Sequence, residues 1–329
     1  MLKEAAEYKE TPVLIIGNEK LACSVSVCLS QAGHQLTLFT ENSYEVLKGI
    51  TTHFDDLSNF KTEAPTPNKI NLINKLGNKL SFKLAIILTD ENLLKKKALI
   101  TQLEKKLPAD SIIAVNTESI PLYILQRDCN FPERIIGVNW VEPAHTTFFL
   151  EIISNAANNI GLINILFQLS KECWNKDPYI ISNDLSIRAK MFAAMAREAF
   201  FLVENGYASI EDIDRACRND AGYYLPFAGN YRYMDLMGPY AYGLVMKDLN
   251  CELSKDQSLP GFLKNIIANG GSGMENNKGF YNYEKDDAEK WYEKFRKFSF
   301  QISRIIDKYP FNYRKENPLP SKKAKSVSP

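Results

Sequence analysis

Asn139 and Glu151 are two polar side chains that interrupt apolar stretches of this sequence. Asn139 lies in RIIGVNWVEP at residues 134–143, and Glu151 lies in LEII at residues 150–153. A glutamate can orient and charge a neighbouring base, whereas the amide of an asparagine does not exchange a proton near neutral pH. His145 lies on the intervening loop, where we expect a side chain in contact with solvent, with a displaced catalytic base as the alternative.

A second candidate is the turn GNEKLA at residues 17–22, which follows the apolar run VLII. Turns that bind a dinucleotide read G-x-G-x-x-G, which allows a tight turn, a close approach of the pyrophosphate and close helix packing. Gly17 supplies the first role, and Ala22 is an accepted substitute for the third. Glu19 takes the second, and two like charges about 4 Å apart cost about 4 kcal/mol at an effective dielectric near 20. Lys20 could offset this repulsion, or Glu19 could turn outward, so the sequence leaves open both dinucleotide binding and weak or absent binding at this turn.

The elements around these residues predict two domains. An apolar strand, a glycine turn, a helix and a second strand open the chain, in the order of a β-α-β unit. Residues 41–81 are expected to be irregular, strands resume after them, and beyond about residue 185 only helical patterns remain. We therefore predict a Rossmann-like α/β domain followed by an all-α domain and a disordered polar tail, at residues 1–183, 184–315 and 316–329.

Four separated stretches, in order over nearly the whole chain, resemble the NAD-dependent L-3-hydroxyacyl-CoA dehydrogenases. Besides the β-α-β opening they are ENL with NTES, RIIGVNWVEP with LEII, and a helical set that ends in NKGFYNY at residues 277–283. The resemblance implies a Rossmann-like dinucleotide-binding domain, then a helical domain like the C-terminal domain of 6-phosphogluconate dehydrogenase. It also implies hydride transfer between NAD or NADP and a 3-hydroxyacyl thioester.

Taken residue by residue, the resemblance places Asn139 where the family has its catalytic histidine, and Glu151 where it has the partner glutamate. The family's serine that contacts the substrate oxygen corresponds to Glu118, with Ser119 beside it. The family's asparagine at the start of the first helix of the second domain corresponds to Ala189. The resemblance assigns the cofactor to Gly17, Asn18, Glu19, Lys20, Leu21 and Ala22 in the turn, to Thr40 and Glu41 after the second strand, and to Glu91 and Asn116.

These residues leave three functional hypotheses open. The first is a divergent dehydrogenase of the family, in which His145, a tyrosine or water replaces the missing base. The second is a pseudo-dehydrogenase that binds an acyl-CoA, a dinucleotide or a partner protein without turnover. The third is a dehydrogenase for another small hydroxy acid. In each case we expect a homodimer, because the predicted helix over residues 187–205 is apolar on more than one side.

Composition limits the other possibilities. The net charge is +1, with 40 basic and 39 acidic residues, so nothing predicts a nucleic-acid partner. No apolar run reaches the roughly 18 residues needed to span a bilayer, and we expect a cytoplasmic protein with no membrane partner. The six cysteines are scattered without a C-x-x-C pair, which predicts reduced thiols and no metal site.

Overall fold

The structure, a computed structural model, describes residue 8 and residues 11–60 and 70–309. It divides into two compact units. The first comprises the chain up to Ala196 together with Glu289–Phe300, and the second comprises Arg197–Ala288 and the chain from Gln301 onwards. The tail predicted to be disordered at 316–329 lies outside the described residues.

The first unit is built on an eight-stranded sheet in the order β3-β2-β1-β4-β5-β6-β7-β8. All neighbouring strands are parallel except β6 and β7, which are antiparallel. The strands are β1 (Val13–Ile16), β2 (Leu36–Phe39), β3 (Ile70–Ile73), β4 (Leu84–Ile87), β5 (Ile112–Val115), β6 (Ile135–Asn139), β7 (Phe149–Ile153) and β8 (Asp177–Ile181). This parallel-dominated sheet with helices confirms the predicted Rossmann-like architecture.

Alternate side chains of the central strands enter two separate cores, one on each face of the sheet. Val13 and Ile15 of β1 belong to one core, and Leu14 and Ile16 belong to the other. Burial on both faces explains why this strand is a continuous apolar run. The helices of this unit are α1 (Lys20–Gln31), α2 (Ser43–Phe60), α3 (Leu93–Lys106), α4 (Leu122–Gln126), α5 (Ile160–Glu172) and the start of α6 (Ile187–Glu204).

The expectation that residues 41–81 are irregular was wrong, because α2 and β3 both lie within them. The helix buries Val46, Ile50 and Leu57, which recur on one face at helical spacing. The strand β3 is an edge strand that is only partly buried, so its apolar signal is short.

Two histidines also lie in places that the sequence did not indicate. The position of His34 between a predicted helix and a predicted strand indicates a surface role, but His34 is fully buried, and its Nε2 accepts a hydrogen bond from the Trp174 indole at 2.8 Å. We expected His145 to contact solvent, but it is also buried.

The second unit is helical, as predicted. Its helices are the rest of α6, α7 (Ile210–Asn219), α8 (Ala221–Met237), α9 (Pro239–Leu249), α10 (Gly261–Ala268), and residues of α11 (Asp287–Lys308). The sequence SIEDID at residues 209–214 predicts a helix with Ser209 as its N-cap. Ser209 forms a full capping box with Asp212 at the start of α7. Among residues 197–288 only Ala228, Ser254 and Pro260 are buried. A single copy of this unit therefore has almost no interior of its own.

Candidate functional site

The turn between β1 and α1 can be formed only with glycine at its first position. A Cβ added to Gly17 would lie 2.6 Å from the Leu88 carbonyl oxygen and 2.7 Å from the Ala22 Cβ. Glu19 is the N-cap of α1, its side chain makes no capping hydrogen bond, and the residue is exposed. The structure thus places this carboxylate in solvent at the helix N-terminus, where a phosphate would bind.

Asn18 joins this turn to the end of β2. Its Oδ1 accepts hydrogen bonds from the Thr40 hydroxyl at 2.8 Å and from the Glu41 backbone N–H at 2.9 Å. Thr40 is fully buried, whereas the Glu41 side chain is exposed. Glu41 is therefore the accessible carboxylate at the end of β2, the position at which dinucleotide-binding folds hold a ribose.

A polar network follows β4 and β5 along the same edge of the sheet. Glu91 accepts hydrogen bonds from the Ser119 backbone N–H (3.0 Å) and hydroxyl (3.1 Å), and forms an ion pair with Lys96 at 3.3 Å. The Lys96 ammonium also donates to Oδ1 of Asn116 at 2.8 Å. Burial alone would raise the pKa of Glu91, but the backbone N–H of Ser119 and the charge of Lys96 hold it below its ordinary value. Burial lowers the pKa of Lys96, although Glu91 opposes that shift.

Asn139 and Glu151 form a closed pair in the interior. The Asn139 Nδ2 donates to the Thr117 carbonyl at 2.7 Å and to Glu151 at 3.0 Å, while its Oδ1 accepts from the Thr117 N–H at 2.8 Å. The other Glu151 oxygen accepts from the N–H of Ile187 at 2.9 Å, at the start of α6, and from the Tyr179 hydroxyl at 3.1 Å. Both amide hydrogens of Asn139 are engaged, and Glu151 is fully buried. The pair therefore links strands β6 and β7 to the start of α6 and provides no catalytic base.

Two positions where the resemblance places polar uncharged residues are occupied by a glutamate and an alanine. Glu118 forms an ion pair with Arg188, and each side chain is 38% exposed. Ala189 brings no side-chain hydrogen bond, and its N–H donates to the Ser186 hydroxyl at 2.9 Å. Sequence reasoning missed Tyr179 on β8 and Arg188 in the first turn of α6. Their position beside the start of α6 is the only feature that marks them.

His145 packs against two other rings. The centroid of its ring lies 4.7 Å from that of His53 and 5.9 Å from that of Phe300. Phe300 belongs to the core shared with Val13 and Ile15 of β1, whereas Asn139 bonds to Thr117 in the loop after β5.

The arrangement suits a dinucleotide but lacks the acid–base group of a hydroxyl oxidation. The glycine turn, the Asn18 link and the exposed Glu41 fit a dinucleotide across the carboxyl edge of the sheet. Among the described residues, no group of three or more histidine, cysteine, aspartate or glutamate side chains is arranged to hold a metal ion. Nor is any helix of the described ranges long and apolar enough to cross a membrane. Fold and turn thus define a nucleotide-binding domain of the oxidoreductase class.

Comparison with known proteins identifies the family. Residues 12–185 match the NAD-binding domain of 3-hydroxyacyl-CoA dehydrogenase, and residues 187–283 match its C-terminal domain. The chain belongs to the 3-hydroxyacyl-CoA dehydrogenase family, as the four stretches of sequence predicted.

Individual relatives are distant. The chain is 27% identical over 183 residues to 5-formyl-3-hydroxy-2-methylpyridine 4-carboxylate 5-dehydrogenase of Mesorhizobium japonicum, covering 55% of this chain and 59% of that protein. It is 23% identical to 3-hydroxybutyryl-CoA dehydrogenase of Clostridioides difficile, covering 82% of this chain and 99% of that one. A solved structure of the pyridine carboxylic acid dehydrogenase, described as an NAD+-dependent dismutase, has a TM-score of 0.84 at 20% identity, covering 92% of this chain and 100% of that one.

Proposed function

We propose that this chain binds NAD(H) at the 17–22 turn and is an oxidoreductase for a 3-hydroxyacyl or 3-oxoacyl thioester, with no proton transfer at position 139. The closed Asn139–Glu151 pair is the observation that carries this proposal. Its amide hydrogens bond to Thr117 and Glu151, so the family's base is replaced by a structural contact. The substrate class rests on the family and on the name of the Clostridioides difficile relative.

The cofactor would supply or accept the hydride. Gly17 would admit the pyrophosphate, and the exposed Glu41 would hold the ribose of either NAD or, less favourably, NADP, whose phosphate it would repel. The remaining side chains of the edge would orient the nicotinamide end, with Glu91 kept ionised by Lys96 and the Ser119 N–H. Each of these roles is a proposal for binding alone.

Tyr179 is the proposed proton donor. Burial and the charge of Glu151 raise the pKa of its hydroxyl, so it stays protonated at neutral pH. Its side chain is still 37% exposed, beside the fully buried Glu151 to which the hydroxyl donates. In the reductive direction the hydroxyl would turn from Glu151 to the substrate oxygen, give up its proton there and recover a proton from solvent, and its raised pKa makes this step slow.

The test combines binding and turnover. Calorimetry should detect NADH binding by the wild type, and NADH consumption with acetoacetyl-CoA should be slow and should fall further, by at least about tenfold, in Tyr179→Phe. Asn139→His should not raise the rate to that of an intact family member, because Glu118 and Ala189 leave two further roles unfilled. Rapid oxidation of the hydroxy form by the wild type would sink the proposal.

A pseudo-dehydrogenase is the second candidate, and the same closed pair favours it. It predicts NADH or acyl-CoA binding with no turnover in either direction. A dehydrogenase for another small hydroxy acid is the third, favoured by the charged Glu118–Arg188 pair and by the pyridine carboxylate named for the Mesorhizobium relative. A small carboxylated substrate turned over faster than acetoacetyl-CoA would select it.

A further inference from the structure

Residues 289–300 of α11, here termed the strap, belong to the first unit although residues 197–288 of the second unit precede them in sequence. They also lie beyond residues 187–283, the stretch matched by the family's C-terminal domain. The role of the strap is therefore not fixed by family membership. The contacts of its side chains indicate that role.

The strap contacts Glu142 through a hydroxyl. Tyr292 donates a hydrogen bond to one Glu142 oxygen, and Ser24 of α1 donates to the other. The Ser24 oxygen accepts in turn from the Ala144 N–H at 3.1 Å. His53 Nε2 of α2 lies 3.4 Å from the oxygen that Tyr292 contacts. One carboxyl group thus joins the strap to α1 and to α2.

Two further polar contacts and one aromatic contact hold the strap along its length. Arg296 forms a largely buried ion pair with Asp56 of α2, and Ser299 shares a hydrogen bond with Thr146. At its end, Phe300 is 4% exposed and packs on Phe60 with ring centroids 5.1 Å apart. Three polar contacts and one core aromatic are more than a frayed helix end would keep.

The strap also reaches the first turn of α1. The Lys20 ammonium lies 4.7 Å from the centre of the Tyr292 ring, a cation–π distance. Lys20 is the first residue of α1, and Ser24 lies one turn further on. The strap therefore holds the end of the helix that follows the Gly17 turn.

We propose that the strap is a positioning element for the nucleotide turn, acting on α1 through Tyr292, Glu142 and Ser24. The argument rests on the proposed binding of NAD(H) at that turn. Backbone N–H groups at a helix N-terminus bind a phosphate only when the helix end is held in place. Tyr292 and Glu142 do not touch the cofactor in this proposal. They set the position of α1, so that a loosened strap weakens cofactor binding without removing any cofactor contact.

The test compares Tyr292→Phe with Lys297→Met. The first variant removes only the hydroxyl and keeps the ring beside Lys20. The control changes an exposed residue on the same helix that pairs with Glu293. Loss of one hydrogen bond shifts an equilibrium by roughly two- to tenfold, so we expect an NADH Kd about fivefold weaker in Tyr292→Phe and unchanged in Lys297→Met.

Amide hydrogen exchange provides the readout that does not need the cofactor. In Tyr292→Phe we expect faster exchange both in residues 20–24 and in the strap, with the amides of β5 and β6 unchanged. Faster exchange in the strap alone would overturn the proposal, because α1 would then hold its position without it. If wild-type protein fails to bind NADH, the proposed function falls, but the exchange result still decides whether the strap positions α1.

Discussion

Asn139 turns a position that would be catalytic in a dehydrogenase into a structural one. A histidine there would have to leave one ring nitrogen free for substrate. The asparagine instead satisfies both backbone groups of Thr117 and one oxygen of Glu151. Glu151 in turn accepts hydrogen bonds from the first backbone N–H groups of α6, where its negative charge also complements the helix dipole.

The first prediction follows from that fully satisfied amide. Asn139→Ala should lower the free energy of unfolding by roughly 3 kcal/mol, since it strands the buried N–H of Thr117 and leaves Glu151 with one donor fewer. Urea denaturation of both forms at pH 7 measures the difference. Asn116→Ala, which removes another edge asparagine, serves as the comparison. A loss below about 0.5 kcal/mol would show that water or a neighbour replaces the amide.

Glu19 carries the second prediction, because it is exposed at the helix N-terminus that would face a diphosphate. Full solvent screening reduces the repulsion of two charges about 4 Å apart to about 1 kcal/mol, or roughly fivefold in affinity. Glu19→Gly should bind NADH about fivefold more tightly than wild type, not a thousandfold. Glu19→Gln separates charge from size, and should recover most of the gain. Identical affinities for all three forms, by fluorescence titration, would count against the charge argument.

At the scale of elements, the sequence could predict the strands whose residues are buried on both faces and the helices with a clear cap. It gave Ser209 as a cap because the side chain and its partner Asp212 lie in one turn. It missed α2, whose apolar face is interrupted by His53 and Asp56, since those polar residues are matched by Glu142 and Arg296 from distant parts of the chain. It also missed α8, which contains Pro226 and the positive-φ Gly229.

The site was predictable only where one residue suffices for a role. Gly17 follows from sequence because any Cβ would clash with Leu88. The closed state of Asn139 does not follow, because the amide is satisfied by the backbone of Thr117, which any residue could supply. Glu142 was missed for a related reason, since its partners come from α1, α2 and the strap.

The Glu142 cluster gives the third prediction, at the scale of the elements it joins. Burial raises the pKa of Glu142 from 4.5 to about 7, against the opposing effect of Ser24 and Tyr292. The stability linked to this group is therefore complete below about pH 4.5 and is lost as the pH rises through about 7. Burial, helped by Arg296, lowers the pKa of His53 from 6.5 to about 4, so its own contribution is lost as the pH falls through that range.

These two effects oppose each other between about pH 4.5 and 6.5, and Glu142→Gln should separate them. We subtract the unfolding free energy of the wild type from that of the variant. This difference should rise between about pH 4.5 and pH 7, by at most about 1.4 kcal/mol per pH unit, and then level off. The other titratable or charged groups that act on this carboxyl are Lys20, Cys23, Tyr292 and Arg296. Asp56 pairs with Arg296, and His145 lies against His53. Burial raises the pKa of Cys23 to about 12, so the thiol stays neutral throughout. A flat difference from pH 5 to pH 8, by urea denaturation, would refute this assignment.

For the molecule as a whole, the second unit lacks an interior. Large apolar side chains remain exposed on it, among them Tyr223, Tyr231 and Tyr240 at 80% or more and Leu236 at 67%. Exposed apolar surface of this extent marks an interaction site. The homodimer stays a prediction, and this surface is its physical motive.

The fourth prediction tests that assembly. Light scattering at micromolar concentration should give twice the mass of one chain, and Leu236→Arg should shift the protein toward monomer. Leu94→Arg, at a leucine of the first unit that is even more exposed, should leave the mass unchanged. Monomer alone in the wild type would contradict the dimer, and a mass shift with both variants would mean that the change reflects solubility rather than an interface.

The strap has a consequence for how this protein is made. Synthesis delivers the sheet of the first unit first, but residues 197–288 must be translated before the strap exists. At about 5–20 residues per second, those 92 residues take roughly 5–20 s. Throughout that interval the nascent sheet lacks Phe300 in its core and Arg296 opposite Asp56. A ribosome-bound chain that ends before residue 289 should therefore be more open to protease along α1 and α2 than the finished protein, and a chaperone would meet the open form first.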